Sequence, residues 1–256
     1  MIKIENVEVM GWEHAIRGMR NPMNSWEKSD STHCTEWDCD TCPGNGGNDG
    51  CKFPGIDPVV VGPNDHQLMM NLAHGGPVHA KYRRMITVYL DITAPLYWWK
   101  EFDTYKVGTV ANSCSTMHKI HAKEFTLEDF SCEHLMGFRT PIEVSVPQID
   151  VDPLKDCSII FSPSGVLENI TIPMLNECRK LYLETKNKRY WWQMIQLLPS
   201  SYNQRRTVML NYEVLVGMYE SRKLHKLDEW REFCKWIESL PYSELIIGES
   251  EVEDNA

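Results

Sequence analysis

Apolar and polar positions alternate from the start of the chain. In "MIKIENVEVM", Ile2 and Ile4 stand between polar neighbours, the period-two pattern of a strand. "GWEHAIRGM" then has the spacing of a short helix. "GPNDHQLMMNLAHGG" predicts a longer helix, with Asn64 or Asp65 as N-cap and Gly75 as its stop. "PVHAKYRR" predicts one more helical turn, and the β-branched alternation of "MITVYLDIT" predicts a strand. "APLYWWKEFDTYK" predicts a helix with Leu96, Trp99 and Phe102 on one face, and "PIEVSVPQIDV" a short extended piece. From Ile172 the pattern turns helical. "PMLNECRKLYLETKNKRYWWQMIQLL" predicts one long helix, with Pro173 in its first turn and Pro199 beyond its end. "QRRTVMLNYEVLVGMYESRKL" predicts a second, with Val208, Leu215, Met218 and Tyr219 toward a core, and "LDEWREFCKWIESL" a third. The expected class is α/β in the α+β sense: a single domain over residues 1–240, with a small sheet and a helical C-terminal half. An acidic tail follows at 241–256.

Composition narrows the setting. The chain has 256 residues, enough for a real core, and a formal net charge of −10. That charge argues against nonspecific nucleic-acid binding. Apolar runs such as "VVVG" and "LIIG" are too short to span a bilayer. The first residues lack the basic-then-apolar pattern of an export signal. The expectation is a soluble, cytoplasmic protein with no membrane and no nucleic-acid partner.

One segment breaks the periodicity. Residues 31–58 are rich in Gly, Asp and Cys and read as an inserted loop. Four of the chain's 9 cysteines, Cys34, Cys39, Cys42 and Cys51, are spaced C-x4-C-x2-C-x8-C, with His33 adjacent. Four soft ligands in a Gly-rich loop suit a structural zinc site. The plain alternative is a reduced, flexible loop. The first three cysteines also match the opening of a plant-type iron–sulfur pattern, but the fourth comes too soon.

A second segment raises the question of chemistry. "FDTYKVGTVANSCSTMH", residues 102–118, gathers Tyr, Lys, Thr, Asn, Ser, Cys and His into one turn-prone run. An ordinary turn needs one or two such residues; a pocket for a polar ligand uses many. The order of features around it is also distinctive. A His in "GGPVHAKYRR" precedes a strand, the aromatic helix and this run. Far downstream come "LLPSSYNQRRTVMLNYEVLVGMYESR" and "EWREFCKWI". This ordered set resembles the flavin-dependent thymidylate synthases, over roughly residues 76–118 and 190–238. The departures are specific. The family's Arg-His-Arg falls on Thr104, Tyr105 and Lys106, its Ser on Cys114, and the Arg two residues later on Thr116. Arginines expected at 195 and 213 are Ile195 and Glu213.

The resemblance implies an activity and a site. The activity is reductive methylation of deoxyuridine monophosphate (dUMP), with methylene tetrahydrofolate as carbon donor and FAD as cofactor. Assembly is implied to be a homotetramer with sites between chains. Nucleotide contacts fall on Glu101, Thr104, Cys114, Ser115, Thr116 and Arg222. Flavin contacts fall on His79, Tyr105, Lys106, Thr109, Asn112 and Asn211. Arg205 or Arg206 is expected to replace the missing guanidinium groups. Cys114 is expected to touch ligand without serving as an obligatory nucleophile. Taken singly, each residue has a plainer role: Cys114 a packed thiol, His79 and His118 ordinary histidines, Arg222 a charge answering a helix dipole. The Trp98–Trp99 and Trp191–Trp192 pairs are expected to pack a core. Two other outcomes remain open: a related pyrimidine-nucleotide enzyme such as a hydroxymethylase, and a relative that binds nucleotide without catalysis.

Overall fold

The structure, a computed structural model, describes residues 2–33, 59–137, 140–142 and 159–248. The chain forms two compact units. The first comprises Met1–Ala94, Trp98–Ser113 and Arg205–Ala256; the second comprises Pro95–Tyr97 and Cys114–Gln204. The architecture is mixed helix and sheet, as the pattern predicts.

The first unit is built on a four-stranded sheet. Its strands are β1 (Lys3–Met10), β4 (Thr87–Pro95), β8 (Asn203–Asn211) and β5 (Val110–Ser113), in spatial order β1-β4-β8-β5. Two further strands, β2 (Thr32–His33) and β3 (Val59–Val60), pair antiparallel. The helices are α1 (Trp12–Arg20), α2 (Pro63–His74), α3 (Leu96–Phe102), α8 (Tyr212–Arg222), α9 (Asp228–Glu238) and α10 (Glu244–Ile247), with a 3-10 turn at Ala80–Arg84. One sheet face is apolar: Val88, Leu90, Ile92, Val208 and Leu210 are buried. The other carries polar side chains. A bulge between Glu5 and Glu8 puts Asn6 at φ 52°, and its Nδ2 donates to Asp91 Oδ2 at 2.8 Å. Asp91 also accepts from Arg205 at 2.7 Å and Thr207 at 2.5 Å. These donors, Thr207 foremost, hold the Asp91 carboxyl well below the usual carboxylate range.

Aromatic residues fill the first core. Trp98 lies 4.7 Å from Trp230, 4.9 Å from Trp99 and 5.1 Å from Phe102, measured between ring centroids. The expected packing role of Trp98 and Trp99 holds, whereas Leu96 is only half-buried.

The second unit is helical. It contains α4 (Thr116–Lys119), a β6–β7 pair (Thr140–Ile142 with Ile159–Phe161), α5 (Pro163–Val166), α6 (Ile172–Thr185) and α7 (Lys188–Leu197). Its core joins Ile120, Phe125, Phe130, Leu167, Leu175 and Met194. Trp192, unlike Trp98, is exposed.

Three expectations from the pattern are corrected. The predicted helix from 173 to 198 is two helices. Lys186 adopts φ 55°, and the Asn187 side chain then caps α7 by accepting from Arg189 N at 3.0 Å. The predicted helix over "QRRTVMLNYEVLVGMYESRKL" begins as strand β8; only from Tyr212 is it helical. Val208 and Leu210 point to one side as sheet residues do, and Asn211 ends the strand by capping α8, accepting from Val214 N at 3.1 Å. Helix α2 is capped neither by Asn64 nor by Asp65. Gly62 is its N-cap residue, and the Asp30 carboxylate accepts from Asn64 N at 2.9 Å and Asp65 N at 3.1 Å. Asp65, freed from capping, is buried and answers Arg20 instead. Most of the Cys-rich loop at 31–58, with Cys34, Cys39, Cys42 and Cys51, lies outside the described residues, as does the acidic end of the tail. No group among the described residues could hold a metal ion, and no described helix is long and apolar enough to cross a membrane.

Candidate active site

Helix α8 begins where strand β8 ends, and the segment after α3 folds against that junction. A cavity of about 480 Å³ opens there, within the first unit. Thr104, Tyr105, Lys106 and Gly108 line it from one segment; Asn211, Glu213 and Gly217 line it from α8 and its cap, and Arg84 from the 3-10 turn. Gly108 has φ +76°, and a Cβ there would stand 3.0 Å from both Asn211 Nδ2 and Val214 Cγ2. A side chain is thus excluded where the loop passes the helix cap. Gly217 has the opposite role: a Cβ on it would meet nothing within 4 Å, so it leaves the cavity open.

The charges in this cavity are distinctive. Lys106 and Arg84 are both exposed, and neither side chain has an ion-pair or hydrogen-bond partner among the described residues. Glu213 faces Arg83 at 3.9 Å, too far for a hydrogen bond. Arg83 is only 9% exposed, and its Nε has no hydrogen-bond partner; nor does the buried Oε2 of Glu213, the oxygen that faces Arg83 Nη1.

Tyr105 connects this cavity to a second cluster. Its hydroxyl accepts from Arg222 Nε at 2.9 Å, while Arg222 Nη1 donates to Glu101 Oε2 at 2.5 Å. The guanidinium carbon lies 4.6 Å from the Trp230 ring centroid, a cation–π placement. Trp230 Nε1 donates to the same Glu101 oxygen at 3.0 Å. His225 Nδ1 accepts from Leu227 N at 3.2 Å, so its proton sits on Nε2, which faces Glu101 Oε2 at 3.4 Å. Arg222 is therefore charge-balanced by Glu101 and walled by aromatic rings.

His79 is elsewhere. It lines a separate cavity of about 1240 Å³ beside α1 and α2, with Met19, Arg20, Lys28, Lys81 and Tyr82. The walls are mainly apolar, and none of the lining side chains is a carboxylate.

The expected site residues thus divide. Glu101, Thr104, Tyr105, Lys106, Asn211 and Arg222 come together at the α3–α8 end of the first unit; Thr104 Oγ1 donates to Glu101 O at 2.7 Å. Thr109 is near in sequence, with a buried Oγ1 that has no partner. Asn112 is exposed on β5, opposite Thr207. His79 joins the other cavity. Cys114, Ser115 and Thr116 belong to the second unit. There Ser115 caps α4 by accepting from His118 N at 3.2 Å. Gln204 Nε2 donates to Thr116 Oγ1 at 2.9 Å and to Cys114 O at 3.2 Å. Arg205 and Arg206, expected to replace missing guanidinium groups, are committed within the first unit. Arg205 pairs with Asp91, and Arg206 pairs with Asp103 at 2.6 Å while its guanidinium carbon lies 4.1 Å from the Trp99 ring centroid. The residues missed from the sequence are Arg83, Arg84, His225 and Trp230. The basic run "KYRR" was a signal for the first two.

Solved structures of the same architecture exist. One is the thymidylate synthase ThyX of Helicobacter pylori with FAD and dUMP: TM-score 0.53, 14% identity, covering 96% of this chain and 95% of that one. A second structure of the same enzyme gives 0.53 at 15% identity, covering 95% of both chains. A third is the UMP/dUMP methylase PolB of Streptomyces cacaoi bound with 5-Br dUMP: 0.53 at 12% identity, covering 96% and 94%. The chain has the fold of the flavin-dependent thymidylate synthases. No family model matches the sequence, and no curated protein matches it. Within the ThyX-like fold the ordered features have a place: β4 leads into α3, the polar run follows, and Asn211 opens α8.

Proposed function

We propose that this chain is a flavin-dependent enzyme acting on the pyrimidine ring of dUMP, by reductive methylation with methylene tetrahydrofolate. The carrying observation is the convergence of Lys106, Tyr105, Asn211 and Arg222, from distant parts of the chain, at one end of the first unit of a ThyX-like fold. The groups present fit such ligands. Lys106 and Arg84 supply positive charge for phosphate, and Glu213, which also lines the cavity, can accept from a hydroxyl. The His79 cavity, apolar with a cationic rim, fits a flat ring system bearing anionic groups. When bound, reduced flavin supplies the hydride. The protein's part is to bind and orient. Tyr105 and Trp230 wall the Arg222 cluster, and Glu101 fixes Arg222. A homotetrameric assembly in which two chains bring the two cavities together belongs to the same reading. So does a cytoplasmic setting, and so does a zinc ion on the four loop cysteines.

The test is direct. Protein purified, loaded with FAD and desalted should stay yellow. Given methylene tetrahydrofolate and a reductant for the flavin, it should then release tritium from dUMP labelled at C5, since methylation there expels that hydrogen. Arg222→Ala should weaken dUMP binding by calorimetry; unchanged affinity removes Arg222 from the site. A colourless protein with no dUMP affinity sinks the reading. A hydroxymethylase would release tritium but give a product of different mass. A second reading, binding without catalysis, draws on Arg222 being held by Glu101 and on Glu213 standing where the resemblance expects Arg. It predicts FAD and dUMP binding with no tritium release.

A further inference from the structure

We propose that the α6–α7 hairpin of the second unit is a docking surface for a single-stranded polynucleotide, held by its phosphates and its stacked bases. The inference goes beyond the function proposed above and uses none of its site residues. The net charge of −10 describes the chain as a whole, and this segment departs from it. Residues 179–189, "RKLYLETKNKR", hold five cations and one carboxylate, the densest basic stretch of the sequence. Lys180, Lys186, Lys188 and Arg189 are exposed, and none forms an ion pair among the described residues. The local fold gives these charges no task. Lys188 and Arg189 stand in the first turn of α7, which has no acidic residue, so they oppose the helix dipole. Charges that served the helix would stand at its other end.

An aromatic pair stands beside the cations. Trp191 packs against the second core and is fixed by donating Nε1 to Met117 O at 3.1 Å. It meets Trp192 edge-on, with ring centroids 4.9 Å apart. Trp192 is 43% exposed, which leaves ring surface for a base. The Lys188 ammonium lies 5.7 Å from the Trp192 centroid and 5.9 Å from that of Trp191, so charge and rings belong to one surface. Arg189, Trp192, Gln193 and Gln196 are exposed at the spacing of one helix face. Cations for a phosphate backbone, with an anchored aromatic face for bases, are what binds a single strand without reading its sequence. A duplex hides its base faces. A membrane surface asks for a row of apolar side chains, where this face offers Arg, two Gln and a single Trp.

The probe is a fluorescein-labelled oligodeoxyadenylate of about 12 nucleotides, read by anisotropy with the full chain. It carries no pyrimidine for the active site proposed above. It should bind at low salt and weaken as salt rises, with a slope of about 0.7 for each phosphate contact. Trp192→Ala should weaken binding at least fivefold, and Trp192→Phe should recover most of that loss, because a stacking face returns. Lys188→Ala and Arg189→Ala should each weaken binding and flatten the salt slope by about 0.7. Lys235→Ala, the same charge change on α9, should leave binding unchanged. These side chains are exposed, so thermal midpoints should stay at the wild-type value. Saturating FAD and dUMP together should not displace the strand. Displacement would put the strand in the cavities of the first unit and overturn the proposal. So would wild-type affinity in both Trp192→Ala and Arg189→Ala. Absence of oligonucleotide binding by the wild type overturns it too, and binding to phosphatidylserine vesicles in its place would assign the surface to a membrane. Strand binding by a protein with no affinity for FAD or dUMP upholds this inference and sinks the function proposed above.

Discussion

Among the first-turn carboxylates of the first unit, Asp65 of α2 and Glu213 of α8 are treated in opposite ways. In α2, Asp65 is completely buried and saturated. It accepts from Arg20 Nε at 2.6 Å, from Ser29 and Ser31 hydroxyls at 2.6 Å each, and from the backbone of Asp30 and Ser31 at 3.2 Å. In α8, the buried Oε2 of Glu213 stands 3.9 Å from its arginine and has no hydrogen-bond partner. A carboxylate that accepts five hydrogen bonds is a structural tie, here clamping residues 29–31 onto α2. One left short beside a cavity has capacity to spare for a ligand. The difference separates structure from function where burial alone would not.

Breaking the saturated site should have the largest effect. Asp65→Asn removes the charge that balances Arg20, whose side chain is 6% exposed. Removing one partner of a buried pair costs about 3–5 kcal/mol. For a chain of this size that lowers the thermal midpoint by roughly 6–20 °C. A midpoint within about 2 °C of wild type, the shift of under 1 kcal/mol, would show that the clamp is not a tie. Its pH dependence is signed. Burial alone would raise the Asp65 pKa, but Ser29, Ser31 and Arg20 together outweigh it and hold the carboxyl below its ordinary value of 3.8. A depressed folded pKa gives stability that is complete above the ordinary value and lost as pH falls through the lowered one. Wild type should therefore lose stability on acidification below about pH 4, and Asp65→Asn should lose less over the same range. Asp91 contributes in the same direction in both proteins.

None of this clamp was legible in the sequence. Asp65 follows a Gly-Pro-Asn and reads as a cap, because capping is a local signal; Arg20 lies 45 positions away. Strand β8 was misread for a related reason. Its buried pair, Val208 and Leu210, also fits one helical face when continued into α8, and the sheet neighbours that decide the matter are remote in sequence. The break at Lys186 and Asn187 did have a local signal, an Asn before a new apolar period. What was legible was what repeats along the chain: the β1 and β4 alternation, α1, α2, α9 and the aromatic core. The polar run at 102–118 was also legible as chemistry, but not its division at Ser113, since no residue there marks it.

The caps offer a second way into the comparison, with a smaller effect. Helix α2 borrows its cap from Asp30, whereas α8 uses its own Asn211, with Gly108 pressed against it. Gly108→Ala places a side chain at φ +76° and 3.0 Å from Asn211 Nδ2. Strain at positive φ costs about 1–2 kcal/mol, and a disturbed cap adds up to about 1. Chemical denaturation should show that loss, with FAD or dUMP binding weakened alongside it. A stable variant with altered binding would place Gly108 in ligand contact; an unaltered variant would show that the loop yields.

The smallest effect should come from the unsaturated carboxylate itself. Glu213→Gln keeps the shape and removes the charge. Its loss to Arg83 is small, because at 3.9 Å there is attraction but no hydrogen bond to break. Stability should fall by less than at Asp65, because no hydrogen bond is lost with the charge. Ligand binding should respond in two directions. Inorganic pyrophosphate, a probe for Lys106 and Arg84, should bind more tightly once a nearby negative charge is gone. A nucleotide whose hydroxyl donates to Glu213 should gain less or lose affinity, because an amide oxygen is a weaker acceptor than a carboxylate. If Glu213→Gln is as destabilising as Asp65→Asn, the two first-turn carboxylates do the same structural work. The unpartnered oxygen would then be a feature of packing and not of a binding site.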